Sequence, residues 1–456
     1  MGVASINRTT TRAMNIRRGP SRKPMTALKR AGLVLLGLFV ILLSIIGILS
    51  MTRGTPVHSV IVLGSSGLPP AVGDSLFART MELHAKTHID PGNSVELLSN
   101  GDGTFPRLWA DISSAKQSLT LQMYFAAPGS LADTLAARLI ERARAKVRVL
   151  LLFDAFGSSD IKQEWMDRLR AAGVEAEWLR PLHWYALDKA NNRSHVRAIV
   201  VDGRIGYTGG FGFADKWLGD GLRDDQWRET NVRFEGPVVT QLQATFAAAW
   251  AEAKGELLAG DLFFPRATLA AVGPVQAGLL YASPTLGSTT AERFMALSIA
   301  SARRTLYITN AYVVPDDDFR RMLTDAVARG VDVRVLTNGD KSDVMMTTYA
   351  TRARYGELLR GGVRIYEYLP TTLHSKTFVV DALWSTVGSM NFDNRSLALN
   401  DESNLVSLDS TLGAALVAMF ESDLKHAKEI TLEEHNRRPW KERVFETASN
   451  LLSRLL

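Results

Sequence analysis

The sequence predicts an α/β protein of two pseudo-symmetric lobes, each a β-sheet flanked by helices, with an N-terminal transmembrane helix. Three observations carry that prediction. A polar pattern occurs twice at identical internal spacing, the order of strand-like and helix-like segments repeats around the two copies, and one long uncharged apolar run lies near the start. At 456 residues the chain exceeds one ordinary domain and has room for two sizeable cores. Cysteine is absent, which excludes disulfides and thiol chemistry and leaves the redox compartment open.

The first element is the apolar run from Gly32 to Met51, with no charge between Arg30 and Arg53. About 20 such residues suffice to cross a bilayer as a helix. Ahead of it stand Arg8, Arg12, Arg17, Arg18, Arg22, Lys23, Lys29 and Arg30 without one acidic residue. That bias makes residues 1–31 a cytoplasmic flank, residues 32–51 a single-pass anchor in the cell membrane, and the body extracytoplasmic. A cleaved signal peptide is the competing reading; the length of the run and the lack of an Ala-x-Ala site soon after Met51 favour the anchor. Residues 54–90 are loosely patterned and read as a stalk.

Lobe one, residues 91–258, reads as strand Ser118–Phe125, helix Leu131–Ala145, strand Val147–Phe153, helix Ile161–Ala172 and strand Val174–Leu179. Lobe two, residues 275–430, repeats the order as strand Thr305–Asn310, helix Asp317–Arg329, strand Val331–Thr337, helix Met345–Leu359 and strand Val363–Tyr368. Alternation of this kind implies largely parallel sheets with right-handed crossovers. Gly260 to Gly278, with Pro265, Gly273 and Pro274, is the predicted linker. The tail, 438–456, places Trp440, Val444, Ala448, Leu451, Leu452 and Leu455 on one helical face, an amphipathic helix suited to a membrane interface or to packing on lobe two.

The chemistry-bearing pattern follows the third strand of each lobe. Its second copy is His374-Ser375-Lys376, Asp381, then Gly388-Ser389-Met390-Asn391; its first is His195-Val196-Arg197, Asp202, then Gly209-Gly210-Phe211-Gly212. Ile199-Val200-Val201 and Phe378-Val379-Val380 are β-branched runs, so each His-x-basic triplet opens a strand on which the His and the cation share a face. The Asp202-Gly203 pair marks a hairpin that returns the glycines, Ser389 and Asn391 to the histidines. An imidazole, a cation, a hydroxyl and an amide around one point suit a tetrahedral oxyanion, with phosphate the foremost candidate. Asp202 and Asp381 lie seven positions beyond their histidines, an odd count that faces them away and favours a turn or structural carboxylate. Glu402 and Glu229 are better placed to fix imidazole tautomers.

Both copies resemble the His-x-Lys-x4-Asp-x6-Gly-Ser-x-Asn signature of the phospholipase D superfamily, and the bacterial cardiolipin synthase-like branch fits best. The similarity spans about residues 93–430, including Val95-Glu96-Leu97-Leu98 and Asn400-Asp401-Glu402. The resemblance implies that two lobes bring both motifs to one site, that no metal or other cofactor is needed, and that one histidine becomes phosphorylated while the other serves as acid and base. It assigns the nucleophile to His195 and the acid to His374, adds Arg197, Lys376, Asp202 and Asp381 to the catalytic set, and gives Ser389, Asn391, Gly209 and Gly210 to the phosphate. Glu402 becomes a His-orienting group, with Glu229 aligned less closely.

Substrate choice follows from charge. Removing the eight flank cations and Arg53 from the 53 basic residues leaves fewer than the 47 acidic ones, so the body has no net positive charge to attract nucleic acid. A phospholipid in the bilayer is the expected partner, phosphatidylglycerol in particular, and the expected reaction joins two of them into cardiolipin with release of glycerol. A phospholipase D or nuclease-like hydrolase is one alternative. A catalytically weak lipid-binding protein is another, because Arg197 replaces the usual Lys and Gly210 and Gly212 replace Ser and Asn. Trp184, Tyr185, the Asn191-Asn192-Arg193 cluster, Met345, Met346, Tyr349 and Arg352 flank the motifs, suited to admitting acyl chains or to ordinary packing. His84 and His88, four apart, lack a third ligand in the sequence around them and read as a surface pair. Oligomeric state is not legible.

Overall fold

The computed structural model describes residues 27–51, 56–62, 67–181, 192–284 and 287–451. Helix α1, Ala27–Met51, forms over the apolar run and is a unit of its own. Leu33, Leu35, Phe39 and Ile41 on it are exposed. Over the residues searched, those whose side chains are described, no helix is long and apolar enough to cross a membrane. The basic flank up to residue 26 and Trp184, Tyr185 and Asn191 lie outside the described residues, as do Leu452 and Leu455.

In the remainder, lobe one contains β1 (Asp90–Ser99), β2 (Ser118–Met123), β3 (Arg148–Asp154), β4 (Glu175–Leu179), β5 (Ala198–Val201), β6 (Ile205–Gly209), β7 (Trp227–Arg228) and β8 (Thr230–Glu235). Lobe two contains β9 (Val275–Ala282), β10 (Thr305–Asn310), β11 (Asp332–Asn338), β12 (Arg364–Tyr368), β13 (Thr372–Leu373), β14 (Lys376–Val380), β15 (Trp384–Gly388), β16 (Glu402–Leu408) and β17 (Ala427–Ile430). The helices after α1 are α2 (Ser75–Ala85), α3 (Asn100–Ser114), α4 (Ser130–Arg144), α5 (Gln163–Ala171), α6 (Val238–Lys254), α7 (Thr290–Ser301), α8 (Asp317–Ala328), α9 (Met345–Arg360), α10 (Asn394–Ala398), α11 (Ser410–Leu424), α12 (Leu432–Asn436) and α13 (Trp440–Leu451). Apolar periodicity located the central strands and helices to within about two residues.

Two expectations about the sheets are corrected. Parallel pairing is confined, in the long sheet, to β2–β3–β4 and β10–β11–β12, and its other pairings are antiparallel. The crossover pattern ends at the third strand of each lobe, and the motif hairpins that follow, β5–β6 and β14–β15, can only pair antiparallel. Nor do the lobes keep separate sheets. Edge strands β1 and β9 pair and fuse them, among the described residues, into one sheet of 15 strands, so the two lobes form one compact unit. The predicted linker runs into β9 at Val275, whose residues are sheet rather than connection.

Helices cover both faces, which is why β2, β14 and β15 are buried throughout instead of alternating. Val238, Val239 and Leu242 of α6 and Leu412 and Leu416 of α11 share one cluster that spans both lobes. The stalk reading is also corrected. Asp74 caps α2 by accepting from Leu76 N at 2.8 Å, and the helix buries Phe77, Met81 and Ala85 in the core of lobe two, with Phe77 edge-on to Trp384 at 5.1 Å. Phe77 and Met81 each contribute about 1.5–3 kcal/mol of burial. Because α2 ends at Ala85, His84 and His88 do not share a helix face. At the other end, α13 meets lobe two where Phe445 stacks on Tyr349 at 5.7 Å, yet Phe445, Trp440 and Val444 are all exposed.

Candidate active site

Each motif hairpin turns on two residues in the left-handed region, Asp202 and Gly203 at φ 51° and 62°, and Asp381 and Ala382 at 54° each. Such pairs match the twist of a tight hairpin. The two aspartates are not brought to the site. Asp202 accepts from the backbone N–H groups of Lys116, Gln117 and Ser118 at 2.9, 2.7 and 3.0 Å, and Asp381 from those of Arg303, Arg304 and Thr305 at 3.0, 2.7 and 2.8 Å. Each carboxylate pins its hairpin to the start of the adjacent strand from the turn itself, the structural role favoured over direct catalysis. Asp381→Ala strands three donors and is expected to lower unfolding free energy by about 2 kcal/mol. Denaturant titration of the full chain checks this; an unchanged midpoint would contradict it.

His195 and His374 line one cavity of about 300 Å3 with Tyr124, Trp227, Tyr312, Asn391 and Arg395. Their partners are exchanged between lobes. His195 Nδ1 lies 2.9 Å from Glu402, and His374 Nδ1 lies 2.6 Å from Glu229. Backbone pairing enforces the exchange. His195 N donates to Asp401 O at 2.9 Å and His374 N to Arg228 O at 2.8 Å, so each histidine is tied to the residue just before the glutamate of the opposite lobe. Strand β7 pairs with β13 in the same contact, and Arg228 grips Asp423 across it at 2.9 and 2.8 Å.

All four groups are buried, and burial sets their protonation. Desolvation, aided by the cations of Arg197 and Lys376, holds both imidazoles well below the ordinary histidine range. Burial also raises Glu229 and Glu402 to about 7 each. With Nδ1 engaged by a carboxylate, Nε2 is the ring nitrogen left for chemistry.

The cations differ from one another in placement. Arg197 is buried, donating from Nε to Phe211 O at 3.0 Å and from Nη1 to His195 O at 2.8 Å, which aims its guanidinium beside the histidine. Lys376 Nζ donates to His374 O, and burial lowers it to about 7. Ser389 donates to Glu402 at 2.5 Å and accepts from Ser403 N at 2.9 Å, so its hydroxyl orients the carboxylate that orients His195. Asn391 does reach the cavity, and its buried Oδ1 has no hydrogen-bond partner among the described residues.

Gly209, Gly210 and Gly212 have a steric explanation. A Cβ at Gly209 would fall 2.1 Å from Asn231 Oδ1, and one at Gly210 2.5 Å from both Glu229 oxygens. At Gly212 it would meet the Trp217 ring at 2.9 Å. Trp217 fills the space that the motif side chains would take: its indole N–H donates to Glu229 at 3.3 Å and its ring stands edge-on to His374 at 5.6 Å. An indole in lobe one thus does for Glu229 what Ser389 does for Glu402. Gly212→Asn completes the motif on paper, yet overpacking of this kind costs about 1–3 kcal/mol. Turnover and thermal stability are both expected to fall in that variant, and a gain in turnover would show that the space is free.

Tyr124, Trp217, Trp227, Tyr312 and Lys216 went unassigned at the level of sequence. Tyr124 immediately follows β2, at a strand end where ligands gather, and Trp227 stands two residues before Glu229, so two of the five carried a usable signal. Of the flanking residues, Arg193 is buried against Asp154 at 3.0 Å and Arg352 pairs with Glu367 at 2.8 Å, both as packing. Met345 and Met346 are partly exposed.

Comparisons with known proteins agree with this geometry. A family model described as "Cardiolipin synthase, PLD-like domain" matches residues 108–250 and 295–424. The chain is 34% identical over 369 residues to a cardiolipin synthase of Geobacillus kaustophilus (strain HTA426), covering 81% of this chain and 73% of that one. It is 32% identical over 386 residues to the major cardiolipin synthase of Bacillus subtilis (strain 168), covering 84% and 79%. Among solved structures, a phosphatidylserine synthase of Haemophilus influenzae Rd KW20 shares the fold at 11% identity, with a TM-score of 0.61 over 83% of this chain and 100% of that one. Two motif copies closing on one cavity and matches across most of the chain lead to one conclusion: the chain belongs to the cardiolipin synthase family of phospholipase D-like proteins.

Proposed function

We propose that this protein is a membrane-anchored phosphatidyltransferase that joins two phosphatidylglycerols into cardiolipin and glycerol. The observation that carries the reading is the pair of buried imidazoles, each held at Nδ1 by a carboxylate of the opposite lobe and both facing one cavity. His195 Nε2 attacks phosphorus of the first lipid, and the bond to its headgroup glycerol breaks as His374 protonates the departing oxygen. A second phosphatidylglycerol then gives a hydroxyl proton to His374, its oxygen bonds to phosphorus, and the bond to His195 breaks.

Charge supports this order of events. The neutral resting imidazole of His195 is a ready nucleophile. Burial and then the nearby cations depress His374, and an entering phosphodiester anion offsets the cations, raising its affinity for the proton it must donate. Arg197 and Asn391 are the groups best placed to hold non-bridging oxygens as charge develops. For the anchor, the support is the helical run Ala27–Met51 with its exposed apolar side chains, and the wholly basic flank before it.

Membranes containing the full chain, given labelled phosphatidylglycerol and a chelator, are expected to yield cardiolipin and free glycerol. Phosphatidic acid in place of cardiolipin would make the protein a hydrolase. Alkaline extraction that releases the protein from those membranes would remove the anchor from the proposal.

A further inference from the structure

Lys216 occupies a setting that the reaction described so far does not use. It lies on the cavity wall, on the 3-10 turn Asp215–Trp217. Its ammonium is boxed by three rings, 3.7 Å from the centroid of Trp227, 4.1 Å from Phe125 and 4.9 Å from Trp217. Trp227 in turn packs on the imidazole of His374 at 4.8 Å, so one ring touches both the cation and the acid–base histidine. The turn is held in place by Asp215, whose carboxylate accepts from Ser130 N and Leu131 N at 3.0 and 2.8 Å.

No carboxylate forms an ion pair with Lys216 among the described residues. The acid that attracts it most, Asp343, accepts instead from Tyr312 at 2.7 Å. Burial lowers the ammonium to about 8. A partly desolvated cation that feels Asp343 and Asp160 only at a distance, with no carboxylate in contact, is poised for an anion brought by a ligand. The box has a second effect: filled by the protein's own ammonium, it turns away a headgroup that carries one.

We propose that Lys216 binds the phosphodiester of the acceptor lipid, and so selects an anionic lipid alcohol over water and over ammonium-bearing headgroups. This rests on the reading above, in which the acceptor is a second phosphatidylglycerol. In that lipid the attacking primary hydroxyl and the phosphate lie at opposite ends of a three-carbon glycerol. With the hydroxyl on His374, the phosphate lies one headgroup away, and Lys216 is the cation in the same cavity that shares the Trp227 ring with that imidazole. The transfer itself is balanced without Lys216: the acceptor oxygen bonds to phosphorus, the phosphorus–nitrogen bond at His195 breaks, and the hydroxyl proton passes to His374. Water in the acceptor's place gives phosphatidic acid by the same steps.

The test compares the full-length protein with Lys216→Gln and Lys216→Arg in vesicles of labelled phosphatidylglycerol, with and without phosphatidylethanolamine, measuring cardiolipin against phosphatidic acid. Because a ratio is read, the amount of folded enzyme drops out. Lys216→Gln is expected to lower the cardiolipin share relative to phosphatidic acid about tenfold, and Lys216→Arg to restore most of it. An unchanged ratio, including one in which both products fall together because the cation grips the donor phosphate instead, overturns the inference while the transferase reading stands. Wild-type protein that makes phosphatidic acid but no cardiolipin overturns both.

Discussion

Replacing His195 with asparagine is expected to abolish turnover of phosphatidylglycerol, by about 10^4-fold or more, because the group that carries the phosphatidyl unit between donor and acceptor is gone. His374→Asn is expected to lose comparable activity for a different reason: the glycerol oxygen must leave unprotonated. A lipid analogue with an acidic leaving group, such as a p-nitrophenyl phosphodiester, separates the two. It needs no proton on departure, so His374→Asn should recover a burst of nitrophenol and accumulate label on His195, whereas His195→Asn should show none. Label recovered on His374 instead, or a burst from His195→Asn, would reverse the assignment.

The second large effect concerns the carboxylates, and its pattern is crossed. Glu402→Gln is expected to behave as a defect of His195 although Glu402 belongs to the other lobe, and Glu229→Gln as a defect of His374. Glutamine offers an amide that can donate as well as accept, so the imidazole is no longer held in one tautomer; comparable substitutions in catalytic triads cost up to about 10^4-fold. The p-nitrophenyl analogue again reads out the difference. The nitrophenol burst should be recovered in Glu229→Gln and not in Glu402→Gln. Rescue in the opposite variant would mean that each glutamate serves the histidine of its own lobe in solution.

The steric account of the first motif also removes the ground for treating it as degenerate. Gly210 and Gly212 looked like lost phosphate donors when read against the motif. In three dimensions Gly210 leaves room for Glu229, and the absence of a Cβ at Gly212 admits Trp217, whose indole supplies the carboxylate with a donor. Arg197 likewise keeps its charge beside the histidine through two bonds to backbone carbonyls. Such compensation is invisible in a motif because its partner, Trp217, lies outside it.

What the sequence determined by itself is whatever its local period encodes. Apolar runs and the alternation of strand-like with helix-like segments placed the central strands and helices of both lobes, and the repeated His-x-basic spacing announced two chemical units. Local spacing could not say that the lobes share one sheet, because any two exposed edges are able to pair; β1 met β9 only once both lobes existed. It likewise named Glu229 and Glu402 without saying which histidine each would hold. Tertiary structure decided that through two backbone bonds across the lobe boundary, His195 to Asp401 and His374 to Arg228. Hydrogen bonds between segments so distant along the chain leave no period in either of them.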